Sequence, residues 1–316
     1  MPTPRPPAGP DALRITIIIP NLNQGLYLER AICSVLDQGY DHLELIVMDG
    51  GSTDGSLEII AAYEEDLAHW QSMWDSGPAE AINTAVSWAT GDVIGILDAD
   101  DVYLPCALHD VARTMADASW GVGHAHRVDA DDQVLGELRA DAPQSLARQL
   151  LSDGAPACGS ATFYRTSVLK SAGGFDSQLR LGYPFEMHCR LQAAGETPTV
   201  IPARVAAVRD HQESLTAVHG VACGREFVDA AERHASPLPP AQRYMLWRSC
   251  DERRRIYAAA ARESRHDADR RALWQQLLRR PWWLTRDDYR RKVLAAIGEG
   301  GVESVGTPHQ EDRRAA

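Results

Sequence analysis

The 316 residues contain no apolar run approaching the roughly 18 needed to cross a bilayer, so no membrane-spanning helix is expected. The six cysteines, Cys33, Cys106, Cys158, Cys189, Cys223 and Cys250, are scattered without C-x-x-C spacing. That pattern fits neither a zinc site nor a disulfide framework, and buried reduced thiols in a cytoplasmic protein are the expectation. Residues 1–10 are proline-rich but lack the basic and apolar segments of a secretory signal, so 1–13 reads as a disordered lead-in. An excess of positive charge is also missing. The net charge is −12, and the acidity lies in the body of the chain: residues 236–316 carry 17 Arg plus Lys against 11 Asp plus Glu. Phosphate backbones are held by basic surfaces, so nucleic acid is excluded as the main partner.

What is present is ordinary globular composition, 44% hydrophobic and 24% charged, in a chain long enough for one large α/β domain with an appendage. A β-branched run at 14–19 stops at Pro20 and reads as a buried strand. Helical spacing follows at 26–38, then a strand at 43–48, a helix from 56 to about 65, and a short strand near 70–74. A helix at 79–90 and an apolar strand at 93–97 complete the series. Strands alternating with helices at this spacing predict a mostly parallel sheet covered on both faces. Its ligands gather beyond the carboxyl ends of the strands. The polar segments 20–25, 49–55 and 98–101 all leave such ends and are expected to converge. Beyond 120 the pattern is mixed, with strands at 121–128 and 160–164, a turn at 129–132 and a helix at 185–194. After a linker at 237–240, residues 241–297 read as helical.

The segment Leu97-Asp98-Ala99-Asp100-Asp101 places three carboxylates at one strand exit. Neighbouring carboxylates resist ionising together, and a divalent cation relieves them; oxygen ligands of this kind suit Mg²⁺ or Mn²⁺. Taken alone, the same residues also fit a solvated acidic turn. The segment 49–55 is not an EF-hand, because Gly51 stands where the third loop ligand belongs.

Read together, the motifs become specific. They are Ile17-Ile18-Ile19-Pro20-Asn21-Leu22-Asn23, Glu44-Leu45-Ile46-Val47-Met48-Asp49-Gly50-Gly51-Ser52-Thr53-Asp54, Asp75-Ser76-Gly77, Ala81-Ile82-Asn83, the 89–101 segment, Gly173-Gly174-Phe175-Asp176 and Arg209-Asp210-His211. In order and spacing over about 14–215, the chain resembles family 2 glycosyltransferases of the GT-A fold. The resemblance implies a Rossmann-like, mixed but mostly parallel α/β sheet with flanking helices over 14–235, followed by a basic helical region at 236–316. It implies a nucleotide-sugar donor, UDP- or dTDP-linked, contacted by Pro20, Asn23, Asp49, Asp75, Asn83 and Asp98. Asp49 would accept the imide N–H of the base, and Asp98 would lie near the ribose. Asp100 and His211 would hold Mn²⁺ or Mg²⁺ on the diphosphate. The implied reaction is transfer with inversion to a hydroxyl of a glycan, a lipid-linked or another acceptor. Without the family, Asp49 is equally a turn or cap residue and His211 an ordinary histidine.

Two departures accompany the resemblance. The family's late helix opens with an acidic base six positions before an arginine. Here that position is Pro184 in Pro184-Phe185-Glu186-Met187-His188-Cys189-Arg190, and Glu186, two residues on, is the remaining base candidate. Two residues turn a helical side chain by roughly 200°, so Glu186 is equally read as a favourable charge at a helix start. After Asn83 the family often has Lys or Arg and then Gly, whereas this chain has Thr84-Ala85. A cation for the donor is then without its usual source. The tryptophans and arginines of 270–292 suit either packing on the domain or peripheral contact with an anionic membrane, at its inner face. Rival functions are a non-catalytic nucleotide-sugar binder, suggested by Pro184, and a sugar nucleotidyltransferase. The latter would need a Gly-rich basic loop that 20–25 does not supply. No G-x-G-x-x-G follows the first strand, which excludes a Rossmann dehydrogenase.

Overall fold

A computed structural model describes residues 13–140, 145–151 and 159–263. In chain order the elements are β1 (Ile15–Asn21), α1 (Gly25–Leu36), β2 (Leu43–Asp49), α2 (Ser56–Ala62), β3 (His69–Ser72), α3 (Pro78–Trp88) and β4 (Val93–Ile96). There follow β5 (Val102–Tyr103), α4 (Ala107–Met115), β6 (Trp120–Val128), β7 (Val134–Leu138) and α5 (Leu146–Leu151). The last are β8 (Thr162–Arg165), α6 (Thr166–Ser171), α7 (Tyr183–Ala193), β9 (Thr199–Arg209), α8 (Leu215–Arg233) and α9 (Pro240–Glu263).

One mixed sheet runs in the order β3-β2-β1-β4-β8-β6-β9-β5, with β7 paired to β6. The first four are parallel; β8 is antiparallel to both β4 and β6, while β6 and β9 are parallel. The register of β1 shows why it is apolar apart from the buried Thr16, whose hydroxyl donates to Glu44 and accepts from the Gly91 N–H. Ile15, Ile17 and Ile19 pack towards α1 and α4, and Ile18 packs with Ile46 and Ile94 towards α3 and α7. A period of two with both faces covered leaves no position for a solvent-facing polar residue. Pro20 is tolerated because pairing of β1 with β4 ends at Ile18–Ile96, so its missing N–H faces no partner strand.

The strands expected at 14–19, 43–48, 70–74 and 93–97 are present with small boundary shifts. The mixed region beyond 120 holds more order than its pattern shows. In β9, Pro202 and Arg204 interrupt the hydrophobic run, and β6 is bulged against it on both sides of His124. Helix α8 lies inside the stretch expected to be sheet domain, and it packs with α5, α7 and α9 through Leu150, Phe185, Cys189, Val228, Leu246 and Cys250. The helical layer therefore starts at Leu215, ahead of the 237–240 linker. Residues 270–292 lie outside the described residues. Among those described, no helix is long and apolar enough to cross a membrane, and Cys33, Cys106 and Cys189 are free thiols.

Candidate active site

The exits of β1 and β2 are sewn together by side chains. Asn23 adopts a left-handed backbone, φ +53°, which asparagine tolerates. Its N–H donates to Ser52 Oγ (2.8 Å), and Thr53 N–H donates to its Oδ1 (2.9 Å). From the same loop, Asp54 accepts the N–H of Gly25 (2.7 Å) and so caps the start of α1. Pro20, Asn23 and Asp49 are thus brought to one edge, as their spacing predicts.

Asp49 is held by its own surroundings. Its Oδ1 accepts from Asn21 Nδ2 (2.7 Å) and Ser52 Oγ (2.5 Å). Its Oδ2 accepts from the N–H groups of Gly51 (3.1 Å) and Ser52 (3.0 Å) and from Ser72 Oγ (2.6 Å). Burial raises its pKa, but these donors outweigh that and hold it below the usual carboxylate range. A carboxylate has about four lone-pair sites, so in this arrangement Asp49 organises the loop and offers nothing to a base. The carboxylate that remains open is Asp75. Its Oδ1 accepts from Gly77 N–H (2.9 Å), while Oδ2 lies 3.0 Å from where a Cβ on Gly50 would stand. A side chain at 50 would crowd that oxygen. Burial, with the charges of Glu80 and Asp49, raises the pKa of Asp75 despite the Gly77 bond. Nearby, Asn21 Oδ1 is buried with no hydrogen-bond partner among the described residues. Asn21, Ser52 and Ser72 were not singled out in the sequence; strand-end polar residues are too common to mark.

Asn83 is likewise held by its surroundings. Its Nδ2 donates to Phe175 O (2.8 Å) and its Oδ1 accepts from Phe175 N–H (2.8 Å), so both ends of the amide clamp α3 to the turn before α7. The reason is geometric: Gly174 has φ +74°, and a Cβ there would meet Asn83 Oδ1 at 2.5 Å. The Gly174→Ala variant is therefore expected to melt several degrees below wild type, from a strained backbone and a broken clamp costing about 2–3 kcal/mol. An unchanged melting temperature would show the clamp to be dispensable.

The carboxylate cluster stands at the exit of β4. Asp101 is buried and pinned: Ser160 Oγ donates to its Oδ2 (2.6 Å) and Arg209 N–H to its Oδ1 (2.9 Å). Asp98 lies beside Ser160, whose Oγ accepts its N–H (3.2 Å). Burial, then the charge of Asp100, pushes Asp98 up to about 7, and burial with both neighbouring charges raises Asp101 well above its ordinary value. Asp100 meets His211, with Oδ2 and Nε2 at 2.9 Å. The His211 ring packs on Tyr27 (4.9 Å between centroids), and the Arg209 guanidinium lies over the same ring (4.9 Å). Arg209 donates to the carbonyls of Asp100 (2.9 Å), Asp129 (2.9 Å) and Ala130 (3.1 Å) and to Asp132 Oδ1 (2.7 Å). Two sites more than a hundred residues apart in sequence, Asp100 and His211, are therefore brought together as expected. Among the described residues no group of three or more His, Cys, Asp or Glu is arranged to hold a metal. The fit is to an ion that takes one carboxylate and one imidazole and fills its other positions from a ligand and water, as Mn²⁺ and Mg²⁺ do on phosphates. Burial first, and neighbouring charge second, raise the pKa values of Asp98 and Asp101, and a cation would relieve both.

Glu186 sits on the first turn of α7, buried. Arg190 Nε donates to both its oxygens (3.0 and 2.9 Å), Arg190 Nη2 lies 2.7 Å from Oε2, and His234 Nε2 is 3.0 Å from Oε1. Burial would raise its pKa, but His234 and Arg190 outweigh it and lower it. A base must present a lone pair and gain from protonation, and this carboxylate does neither; it fastens α7 to the end of α8. At the usual base position, Pro184 begins the helix behind Tyr183.

The sequence model described as Glycosyl transferase family 2 matches residues 16–173, half of the chain. An uncharacterized glycosyltransferase of Nostoc sp. is 31% identical over 175 residues, 52% of this chain and 54% of that protein. The putative teichuronic acid biosynthesis glycosyltransferase TuaG of Bacillus subtilis is 38% identical over 92 residues, 28% of this chain and 36% of its own. The chain thus spans about half, or less, of the length of these relatives. Among solved structures, S. aureus TarS in complex with UDP-GlcNAc is similar with a TM-score of 0.58 at 16% identity, covering 91% of this chain and 80% of that one. The mannosyltransferase PcManGT from Pyrobaculum calidifontis, in complex with GDP-Man and Mn²⁺, gives 0.54 at 19% identity, covering 91% and 87%. These likenesses establish the fold, a GT-A type sheet with flanking helices.

Proposed function

Because the chain belongs to glycosyl transferase family 2, we propose that it transfers a sugar from a UDP- or dTDP-linked donor to an acceptor hydroxyl, with inversion and with Mn²⁺ or Mg²⁺. The observation that carries the reading is the meeting of Asp100 with His211 at the exit of β4, beside a carboxyl at Asp98 that burial keeps near neutrality. Asp100 and His211 would hold the ion, which supplies positive charge against the diphosphate as the sugar–oxygen bond breaks. Asp98 would contact the ribose hydroxyls. For the base, Asp75 Oδ2 and Asn21 Oδ1 are open acceptors among the described residues, and Asp49 holds the ends of the strands that lead to them through Asn21 and Ser72. UDP-GlcNAc and GDP-Man in the neighbouring structures support a nucleotide-sugar donor. The acceptor is a glycan, lipid-linked or other hydroxyl, and a cytoplasmic site of action accords with this chemistry.

The test is a thermal-shift screen of UDP-, dTDP- and GDP-sugars with and without Mn²⁺. A donor that binds the folded state raises the melting temperature by mass action, and the expected result is a UDP- or dTDP-sugar shift that needs the metal. No shift with any donor defeats the reading.

A second reading, a nucleotide-sugar binder without transfer, is favoured by Pro184 and by the ion-paired state of Glu186. A transfer assay of wild type separates the two, and Glu186→Gln tests the base role. Breaking the buried pair is expected to cost about 3 kcal/mol of stability. The folded fraction should keep its transfer rate within a few-fold. A drop of 10²-fold or more at unchanged stability would restore Glu186 as the base, and absence of transfer in wild type with a range of acceptors would favour the binder.

A further inference from the structure

The site collects Asp49, Asp75, Asp98, Asp100 and Asp101, and the nearby cations are already committed. Arg209 is spent on carbonyls and Asp132, Arg190 on Glu186 and Arg233 on Asp176. Arg180 stands apart: it is exposed, and among the described residues its guanidinium meets no carboxylate within ion-pair distance. Its place is nevertheless set from two sides. The N–H groups of Arg180 (3.1 Å), Leu181 (2.8 Å) and Gly182 (2.7 Å) all donate to the carboxylate of Glu226 on α8. Successive N–H groups turned on one anion form a rigid nest, and a Cβ on Gly182 would stand 2.8 Å from Glu226. On the other side, the stem of Arg180 runs over Gly77, with Cγ 3.8 Å from where a Cβ on Gly77 would be, and the Gly77 N–H is held by Asp75. Three residues further on, Tyr183 is close enough to Asp98 to feel its charge. The loop carrying Arg180 therefore spans the interval between the Asp75 loop and the Asp98 loop. On the reading above, that interval separates the base from the metal, and the donor's diphosphate crosses it.

We propose that Arg180 is a donor-binding residue whose guanidinium holds an anionic oxygen of the donor diphosphate, taking the place of the cation missing after Asn83. The proposal rests on the nucleotide-sugar reading. A guanidinium can take two phosphate oxygens at once and strengthens as charge builds on the departing diphosphate. The cation is thus delivered from the loop before α7 and fixed by α8, whereas the helix after the Asp75 loop supplies none. Glu226 acts only through the backbone it holds and is a positioning residue.

Calorimetric titration of the full chain with UDP, dTDP and GDP in Mn²⁺, and with the matching monophosphate of whichever binds, tests this. Arg180→Ala is expected to weaken the diphosphate about tenfold and leave the monophosphate within about twofold, as one charge-assisted contact implies. Arg180→Lys should lose less than Arg180→Ala, and both variants should melt with wild type because the side chain is exposed. Equal diphosphate affinity in wild type and Arg180→Ala overturns the proposal, as does a monophosphate weakened just as much, or a lysine variant as weak as the alanine one. Failure of wild type to bind all three diphosphates would overturn the nucleotide-sugar reading itself, so the two failures are distinguishable.

Discussion

Replacing Asp100 with alanine is expected to lower sugar transfer by about 10³-fold or more, while the melting temperature stays within a few degrees of wild type. The side chain of Asp100 meets His211 and is half-buried, so its removal opens no cavity in either face of the sheet. It also removes the charge that helps to hold protons on Asp98 and Asp101, which offsets part of any lost contact. On the proposed metal reading the activity loss follows from the pairing of Asp100 with His211: with Asp100 gone, a single imidazole would be left to hold the ion. Release of nucleoside diphosphate, followed in a coupled assay, measures the rate, and a thermal melt checks the fold. Wild-type turnover by Asp100→Ala, or by the native chain in excess chelator, would defeat the metal assignment.

The second large effect concerns stability in acid. His188 is fully buried on α7, where its ring stacks on Trp120 at 4.5 Å and its Nε2 lies 2.9 Å from the Tyr164 hydroxyl. Burial pushes its pKa from 6.5 down to about 3. A folded state that refuses a proton the unfolded chain accepts is penalised only where the unfolded histidine is charged. The penalty is therefore absent above pH 6.5 and grows as pH falls from 6.5 towards 3, by about 1.4 kcal/mol per pH unit. At pH 4.5 it amounts to about 2–3 kcal/mol. His188→Gln keeps a polar group opposite Tyr164 but cannot titrate. Its stability deficit at pH 7, from lost stacking, is expected to shrink by about that amount at pH 4.5 in urea unfolding. A deficit independent of pH would mean that the histidine is charged, or solvated, within the fold.

The first half of the fold is legible in the sequence because its strands are buried on both faces and end in loops that must be polar. Ile15 to Ile19, broken only by the β-branched Thr16, Leu45 to Met48 and Val93 to Leu97 announce themselves as apolar runs, and Asp49 and Asp98 follow the last two directly. In the second half β9 escapes recognition, since its Pro202, Arg204 and bulged partner break the period on which strand recognition depends. At the site, residue type and position identify which groups assemble but not which of their lone pairs remain free. Asp49 and Asn83 were reasonable ligand contacts by position; the serines and the Phe175 backbone that consume them are invisible until the chain is folded. Arg180 is the converse case, an unremarkable arginine whose significance comes from Gly77 and Glu226, distant in sequence.

Arg209 joins the carboxylate loop to the 129–132 turn chiefly through main-chain oxygens: those of Asp100, Asp129 and Ala130, with one side chain, Asp132. Every residue type brings a carbonyl, so most of this anchor makes no demand on the identities of the residues it grips. Apart from Asp129 and Asp132, whose side chains hold the turn itself, this flank can therefore exchange side chains over evolutionary time without losing its alignment to Asp100. A lineage could vary that flank while inheriting the placement of Asp100 intact.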